Sequence, residues 1–179
     1  MRTRTVTKRG TSISALPGKR ATRELPIIGW SEWLSIPSLS IERIKAKVDS
    51  GARTSAIHAY DIKTFSDGGA PHVSFVVHPR QRSRQNMVQC IAPLLDERSV
   101  RSSSGHEGRR YVIEVEVCLG GHTWPIELTL ADRDAMGFRM LLGRQAVSGR
   151  FLIDPGRTSV IGRSVADIRN TVINRVKKL

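Results

Sequence analysis

Apolar and polar residues alternate along much of the central part of the chain, with the period of two that is typical of half-buried β-strands. Short apolar runs bounded by Gly, Pro or Asp lie between these stretches. Together the two patterns predict strands at residues 27–36, 44–48, 73–77, 87–95, 113–119 and 124–130, and a last core strand at 151–153. Residues 53–60 fit either a strand or a short helix. Many short strands separated by Gly and Pro predict an all-β fold, either a small closed barrel or a sandwich.

Glycines and a change of period mark the other elements. Gly120 and Gly121 separate two alternating runs, which predicts a β-hairpin. A short helix is predicted through residues 145–148, after a short buried run at 140–142. From Ser164 onward the apolar residues have helical spacing, which predicts an amphipathic helix at the C-terminus.

Basic residues outnumber acidic ones, and the 179-residue chain carries a formal net charge of +13. Residues 1–24 are rich in Lys and Arg and lack apolar periodicity, which predicts a disordered basic tail. We expect the folded domain at 25–156, with segment 61–96 adding strands or a basic side loop, and the C-terminal helix at 157–179. The charge indicates either a solvated surface that favours solubility or attraction to an anionic partner, nucleic acid or an acidic peptide.

Composition excludes several classes of protein. No apolar run approaches the roughly 20 residues that cross a bilayer, and the N-terminus lacks the apolar region of a secretory signal. The two cysteines, Cys90 and Cys118, cannot build a disulfide scaffold and are expected to be small core residues. We therefore expect a cytoplasmic protein with no membrane partner.

One strand end carries the candidate chemistry. The Asp-Ser-Gly-Ala sequence at residues 49–52 follows the alternating run 44–48, so the carboxylate emerges on the face opposite the apolar residues. By itself this sequence is more often an ordinary turn. Two further features strengthen it: a Leu-Leu-Gly-Arg sequence at 141–144, and a hairpin between the two motifs whose Ser-rich tip at 102–105 is suited to a flap.

These features resemble those of the retropepsin-like aspartic peptidases over roughly residues 27–155. The blocks at 29–33, 45–56 and 138–144 are similar to a bacterial RimB-like family that is associated with RimK, an ATP-grasp glutamate ligase. Members of this family are often named ATP-dependent zinc proteases. The resemblance implies an all-β, retropepsin-like small closed barrel with short helices, to which the sequence adds the C-terminal helix.

The resemblance also implies a homodimer, because each chain supplies one Asp-Ser-Gly and an aspartic dyad needs two carboxylates. Two carboxylates at close range share one proton and activate a water molecule against a peptide bond. The implied catalytic residues are Asp49, Ser50 and Gly51. The implied substrate is an acidic poly-glutamate tail, such as one that a RimK-type ligase adds to a ribosomal protein. The ligase itself is a further candidate partner.

The chain departs from the viral retropepsins after Ala52, where Arg53 stands in place of an acidic residue. We hypothesise that cations near the cleft receive substrate carboxylates as bidentate pairs. Alternatively, Arg53 pairs with a carboxylate elsewhere or is simply exposed. The candidate substrate-binding residues are Ala52, Arg53, Arg109, Arg110 and Arg144.

Two other functions are weighed against the aspartic peptidase. A zinc-dependent peptidase needs a His-Glu-x-x-His or similar ligand set, but His106-Glu107 lacks the second histidine, so we expect no metal and no cofactor. The sequence contains no Gly-x-x-x-x-Gly-Lys loop, so the ATP dependence in the family name has no local support. A non-catalytic module that binds the ribosome or the ligase would use the same barrel without needing the carboxylate of Asp49.

Overall fold

The structure is a computed structural model that describes residues 24–80, 87–101, 107–131 and 137–162. Strands dominate these residues, as the alternation predicts. The strands are β1 (Ile27–Gly29), β2 (Ser31–Ile36), β3 (Ile41–Asp49), β4 (Ser55–His58), β5 (Tyr60–Asp67), β6 (Ala70–Val77), β7 (Val88–Pro93), β8 (Asp96–Arg101), β9 (Glu107–Leu119), β10 (His122–Ala131), β11 (Met140–Gly143) and β12 (Leu152–Asp154). Helical structure in the described ranges is a 3-10 turn at Pro37–Leu39 and one short helix, α1 (Arg144–Val147).

Six strands form a closed barrel in the order β10-β4-β11-β3-β2-β9, which closes because β9 and β10 also pair with each other. Strand β8 extends the sheet beyond β9. The pairing is mixed: β3 runs parallel to β11 and β4 runs parallel to β10, whereas β2 and β3 are antiparallel. The all-β closed barrel is therefore confirmed.

Alternate residues of the barrel strands fill the interior. On β3, Ile44, Ala46 and Val48 are buried, while Lys45 and Lys47 lie on the opposite row. Burial of such apolar side chains is the main favourable term in folding, at about 25 cal/mol for each Å² removed from water. The same alternation on β9 and β10 closes the core from the other side.

The hairpin of β9 and β10 has the predicted turn. Leu119 pairs with His122, and Gly120 and Gly121 have φ angles of 56° and 84°. A two-residue turn that matches the twist of the strands needs positive φ at both positions, which glycine adopts without a steric penalty. The ambiguous stretch at 53–60 contains strand β4.

The segment at 61–96 adds strands, as expected. Strands β5, β6 and β7 form a separate antiparallel sheet in that order. One face of this sheet packs on the hydrophobic core through Val73, Phe75 and Cys90, whereas Phe65 and Ile91 are exposed.

Strand β12 lies outside the barrel sheet and pairs in parallel with β1. The sequence predicts a last core strand at 151–153, but of these residues only Phe151 is buried, whereas Leu152 is 54% exposed and Ile153 is 37% exposed. The predicted strand is confirmed and its predicted burial is wrong. The reason is that β12 lies outside the barrel sheet, so these side chains do not point into the barrel interior.

Residues 155–162, here called the return segment, fold back along β2. Trp30 donates its backbone N–H to the carbonyl oxygen of Arg157 at 2.9 Å, and Ser159 donates to the carbonyl oxygen of Ser31 at 2.8 Å. The helix predicted from Ser164 and residues 1–23 of the predicted tail lie outside the described residues. Within those residues, none of the helices has the length and apolar character that a membrane crossing requires.

Candidate active site

Asp49 is the last residue of β3, at the carboxyl end of a strand that has barrel neighbours on both sides. Its side chain is half-buried and lies on the row opposite the apolar residues of β3, as predicted. Gly143, the last residue of β11, is the register partner of Asp49. The two motifs at 49–52 and 141–144 therefore meet at one end of the barrel.

The loop that follows Asp49 orients its carboxylate. The Oδ1 atom accepts hydrogen bonds from the backbone N–H of Gly51 at 3.1 Å and of Ala52 at 3.2 Å, which is an Asx-type turn. Among the residues that the structure describes, none donates a hydrogen bond to Oδ2. A Cβ at Gly51 would lie 3.3 Å from Oδ1. One carboxylate oxygen is thus held by the loop, and the other is left for water or substrate.

Arg144 is bound to this loop by its side chain and its backbone. Its Nη1–H donates to the carbonyl oxygen of Ser50 at 2.8 Å, and its backbone N–H donates to the carbonyl oxygen of Ala52 at 2.8 Å. The sequence assigned Arg144 to substrate binding. The contacts show a structural role, because the guanidinium holds the backbone next to Asp49.

Gly143 provides the close approach between the two motifs. Its N–H donates to the Oγ of Ser55 at 3.1 Å, and a Cβ at this position would collide with the carbonyl group of Thr54. Glycine at 143 therefore allows β11 to lie directly against the chain that leaves the Asp49 loop.

The candidate cations are placed differently from one another. Arg53 is exposed and has no carboxylate partner in the part of the chain that the structure describes. Arg109 is exposed and lies 3.3 Å from a carboxylate oxygen of Glu97. Arg110 is half-buried and is the register partner of Arg98. Because adjacent strand residues point to opposite faces, Arg109 and Arg110 cannot act on the same carboxylate.

The predicted flap is described only in its arms. Strands β8 and β9 form an antiparallel pair, with Arg101 opposite Glu107. The Ser-rich tip at 102–105 lies outside the described residues.

The described residues contain no group of three or more His, Cys, Asp or Glu side chains that is suited to a metal ion. Cys90 is buried, and burial raises the pKa of its thiol to about 11. Cys118 is half-buried and accepts a hydrogen bond from the Oγ1 of Thr123 at 3.3 Å. Both cysteines are free thiols; Cys90 is the core residue that the sequence predicts, and Cys118 is only partly covered.

Two further residues contribute to the site or its support and were not singled out from the sequence. Lys47 is exposed on the same row of β3 as Asp49, which the alternation of the strand already indicates. Glu32 is fully buried and accepts three backbone hydrogen bonds, from Gly29, Val160 and Gly162. The sequence feature that could have pointed to Glu32 is a charged residue on the apolar, buried row of β2.

A hollow of about 220 Å³ lies next to the base of the loop, with Thr54 and Gln145 in its wall. Two glutamates, Glu114 and Glu127, also line it. Glu127 is paired with Arg98 at 2.6 Å. The charge of Glu114 would repel an acidic peptide, so this hollow is a poor site for such a substrate.

Several relatives carry a region similar to this chain. A protein from Shewanella halifaxensis (strain HAW-EB4) is 50% identical over 137 residues, which cover 76% of this chain and 30% of that protein. One from Desulfotalea psychrophila is 51% identical over 136 residues, 76% of this chain and 29% of its own length. Each is named "Probable alpha-L-glutamate ligase". The chain thus spans about 30% of the length of these relatives.

Comparisons of fold and family agree with the barrel. The crystal structure of Lpg0085, a protein of unknown function from Legionella pneumophila, superposes with a TM-score of 0.64 at 22% identity. The match covers 76% of this chain and 98% of that one, and it supports the fold alone. The family model described as "Retropepsin-like aspartic endopeptidase RimB" matches residues 27–164, which include the whole described barrel and the Asp49 loop. The chain therefore belongs to the RimB-like family of retropepsin-like aspartic endopeptidases.

Proposed function

We propose that this chain is an aspartic-type peptidase that acts as a homodimer and hydrolyses acidic, glutamate-rich peptide tails, such as those on a glutamylated ribosomal protein. The observation that carries the proposal is the geometry of Asp49. Its Oδ1 is fixed by two backbone N–H groups, and its Oδ2 receives no hydrogen bond within the described ranges. A carboxylate held in this way is positioned to accept a proton from water without first reorganising.

The second carboxylate comes from a second copy of the chain. Each chain has one Asp-Ser-Gly sequence, and a two-fold axis beside Asp49 would bring the two copies of that residue together. At hydrogen-bond distance the two carboxylates share one proton, because a second negative charge so close is costly. Ser50 and Gly51 would keep the two loops in register across the axis.

Hydrolysis then needs only the dyad and water. The ionised carboxylate takes a proton from water as the water oxygen bonds to the carbonyl carbon, and the protonated carboxyl gives its proton to the carbonyl oxygen. When the tetrahedral intermediate collapses, the C–N bond breaks, the carboxyl that took the proton from water gives it to the leaving nitrogen, and the other carboxylate takes a hydroxyl proton from the intermediate, which restores the dyad. The products are a carboxylic acid and an amine, and no cofactor takes part.

Basic side chains at the loop and on an arm of the predicted flap support an acidic substrate. Arg53 is exposed and free of carboxylate partners in the described residues, and it follows Ala52 directly. Arg109 and Arg110, on an arm of the predicted flap, and Arg144, beside the loop, add positive charge. Guanidinium groups bind carboxylates in bidentate fashion. The relatives named glutamate ligases carry a similar region within a longer chain, which favours glutamate as the acidic residue and a ligase as a partner.

The proposal is tested by digesting a synthetic oligoglutamate with the wild-type protein and with Asp49→Asn, and following the products by mass spectrometry. The asparagine keeps an acceptor oxygen for the loop but cannot take the proton from water. We expect the wild type to shorten the peptide and the variant to leave it intact. Equal hydrolysis by both proteins would refute the dyad. In the same assay a chelator should not change the rate; loss of activity that zinc restores would instead support a zinc-dependent peptidase.

The alternative is a non-catalytic module that binds a glutamate ligase or the ribosome. The observation that favours it is the name of the relatives, which describes a ligase and not a peptidase. In this case oligoglutamate stays intact with either protein, while Asp49→Asn still binds the ligase or ribosomal RNA. Binding to RNA would weaken steeply as salt rises, because phosphate contacts release counterions.

A further inference from the structure

The row of side chains that ends at Asp49 contains two lysines. The strict alternation of β3 from Ile44 onward puts Lys45, Lys47 and Asp49 on one face of the strand. Lys47 precedes Asp49 by two residues, which is about 6.6 Å along an extended strand. It is exposed, so its ammonium group is available at the end of the barrel where the carboxylate lies.

The neighbours of Lys47 across the sheet carry no charge. Its register partners are Ser31 on β2 and Leu141 on β11, and Leu141 pairs in turn with Ala56 on β4. Side chains in register on adjacent strands share a face. Lys47 is therefore the charged member of a row that crosses four strands directly beside Asp49.

The two lysines differ in what holds them. The Lys45 ammonium lies 5.7 Å from the centroid of the Trp33 ring, within the range of a cation–π contact. For Lys47 no carboxylate or aromatic partner exists among the described residues. An exposed ammonium without a partner is a strongly hydrated point charge, and a carboxylate that reaches it gains a charge-assisted hydrogen bond.

We propose that Lys47 forms a carboxylate-binding subsite beside Asp49, which takes the side chain of a glutamate or aspartate that adjoins the scissile bond. This inference rests on the proposed function, because the peptide must lie across Asp49. The distance between the two residues then limits Lys47 to side chains close to the bond under attack. In a homodimer each copy supplies one such subsite, so both sides of the bond are selected for acidic residues.

The subsite is tested with Lys47→Met, which keeps most of the aliphatic stem and removes the charge. The matched control is Lys45→Met on the same face of the same strand. Both variants and the wild type are given an oligoglutamate and its glutamine analogue, and kcat/KM is measured for each. We expect Lys47→Met to lower kcat/KM for the glutamate peptide about tenfold or more, with less than a twofold change for the glutamine peptide. Lys45→Met should change both by less than about twofold.

Equal changes on the two peptides, or no change on either, would overturn the subsite. A second arm does not depend on hydrolysis: fluorescence anisotropy gives the Kd of both peptides for Asp49→Asn with and without Lys47→Met. In this background Lys47→Met should raise the Kd of the glutamate peptide and leave that of the glutamine peptide unchanged. Rising salt should reduce the difference in Kd between the two proteins. If the wild type cleaves neither peptide, the proposed hydrolysis fails while the binding arm still decides on Lys47. Circular dichroism checks that each variant is folded.

Discussion

Glu32 is expected to stabilise the fold by binding the return segment, and its removal should be among the costlier single substitutions in this chain. The carboxylate is fully buried. Its Oε1 accepts the N–H groups of Gly29 at 2.7 Å and Val160 at 2.8 Å, and its Oε2 accepts that of Gly162 at 3.0 Å. Glu32→Ala leaves all three donors without this acceptor.

The magnitude follows from these three bonds. A buried donor left unsatisfied costs about 1–3 kcal/mol, and bonds to a charged group lie at the upper end. The Gly29 bond is buried, whereas those of Val160 and Gly162 are partly open to water, which recovers some of the loss. We therefore expect Glu32→Ala to lower the free energy of unfolding by about 3–5 kcal/mol, a large part of the roughly 5–15 kcal/mol that is typical of a domain. Glu32→Gln keeps one acceptor oxygen and should cost about 1–2 kcal/mol.

Urea unfolding followed by tryptophan fluorescence measures both changes, at one fixed protein concentration so that any self-association is constant. The matched control is Glu42→Ala, a nearby exposed glutamate whose loss should change stability by less than about 0.5 kcal/mol. If Glu32→Ala is as mild as the control, the carboxylate does not hold the return segment and the reasoning fails.

Four further predictions concern the loop, the core and the substrate. Gly143→Ala should lower the free energy of unfolding by about 2 kcal/mol or more, because its Cβ would collide with a neighbouring carbonyl, while Gly108→Ala, with nothing within 4 Å, should be near neutral in the same urea experiment. Because burial raises the pKa of the Cys90 thiol to about 11, from 9.0 in an unfolded chain, stability should fall as pH rises from 9 to 11. At pH 8 iodoacetamide should modify Cys118 well before Cys90 in the native protein, and equal rates by mass spectrometry would show an open core. Arg53→Glu should reduce cleavage of oligoglutamate more than cleavage of a neutral peptide, and equal losses would exclude its role in substrate binding.

Alternation was sufficient to predict the strands and their buried faces, because each barrel strand presents one face to a single core, but it left a barrel and a sandwich open, and the family resemblance favoured the barrel. Strand β3 shows this most clearly, since its buried row of Ile44, Ala46 and Val48 is also the apolar row of the sequence. The predicted strand at 151–153 is present, but its predicted burial was wrong for a physical reason. A sequence records that Leu152 and Ile153 are apolar, but their exposure depends on β12 pairing with the short strand β1 outside the barrel.

The two motifs of the site could be identified from the sequence, but their contact in the fold could not be derived from local patterns. The sequences at 49–52 and 141–144 are far apart in the chain, and their contact follows from the parallel pairing of β3 with β11, which no local period indicates. The family resemblance supplied that relation. Lys47, by contrast, follows from the same alternation that predicts the direction of Asp49, so its place beside the carboxylate can be derived from sequence alone.

Glu32 shows how a local conflict in a sequence points to a distant contact. On β2 it shares the buried row with Leu34 and Ile36, where a carboxylate is costly unless its oxygens are hydrogen-bonded. A strand cannot satisfy that side chain with its own backbone, because the ladder already uses those N–H groups. The carboxylate therefore requires donors from backbone that has no ladder partner of its own, and the return segment supplies two of them from about 130 residues away. By fixing that segment, Glu32 also holds the carbonyl of Arg157 against the backbone N–H of Trp30. The carbonyl oxygen of Trp30 in turn accepts the N–H of Val48, the residue before Asp49. A buried charge far from the Asp49 loop is in this way connected to the strand that leads into that loop.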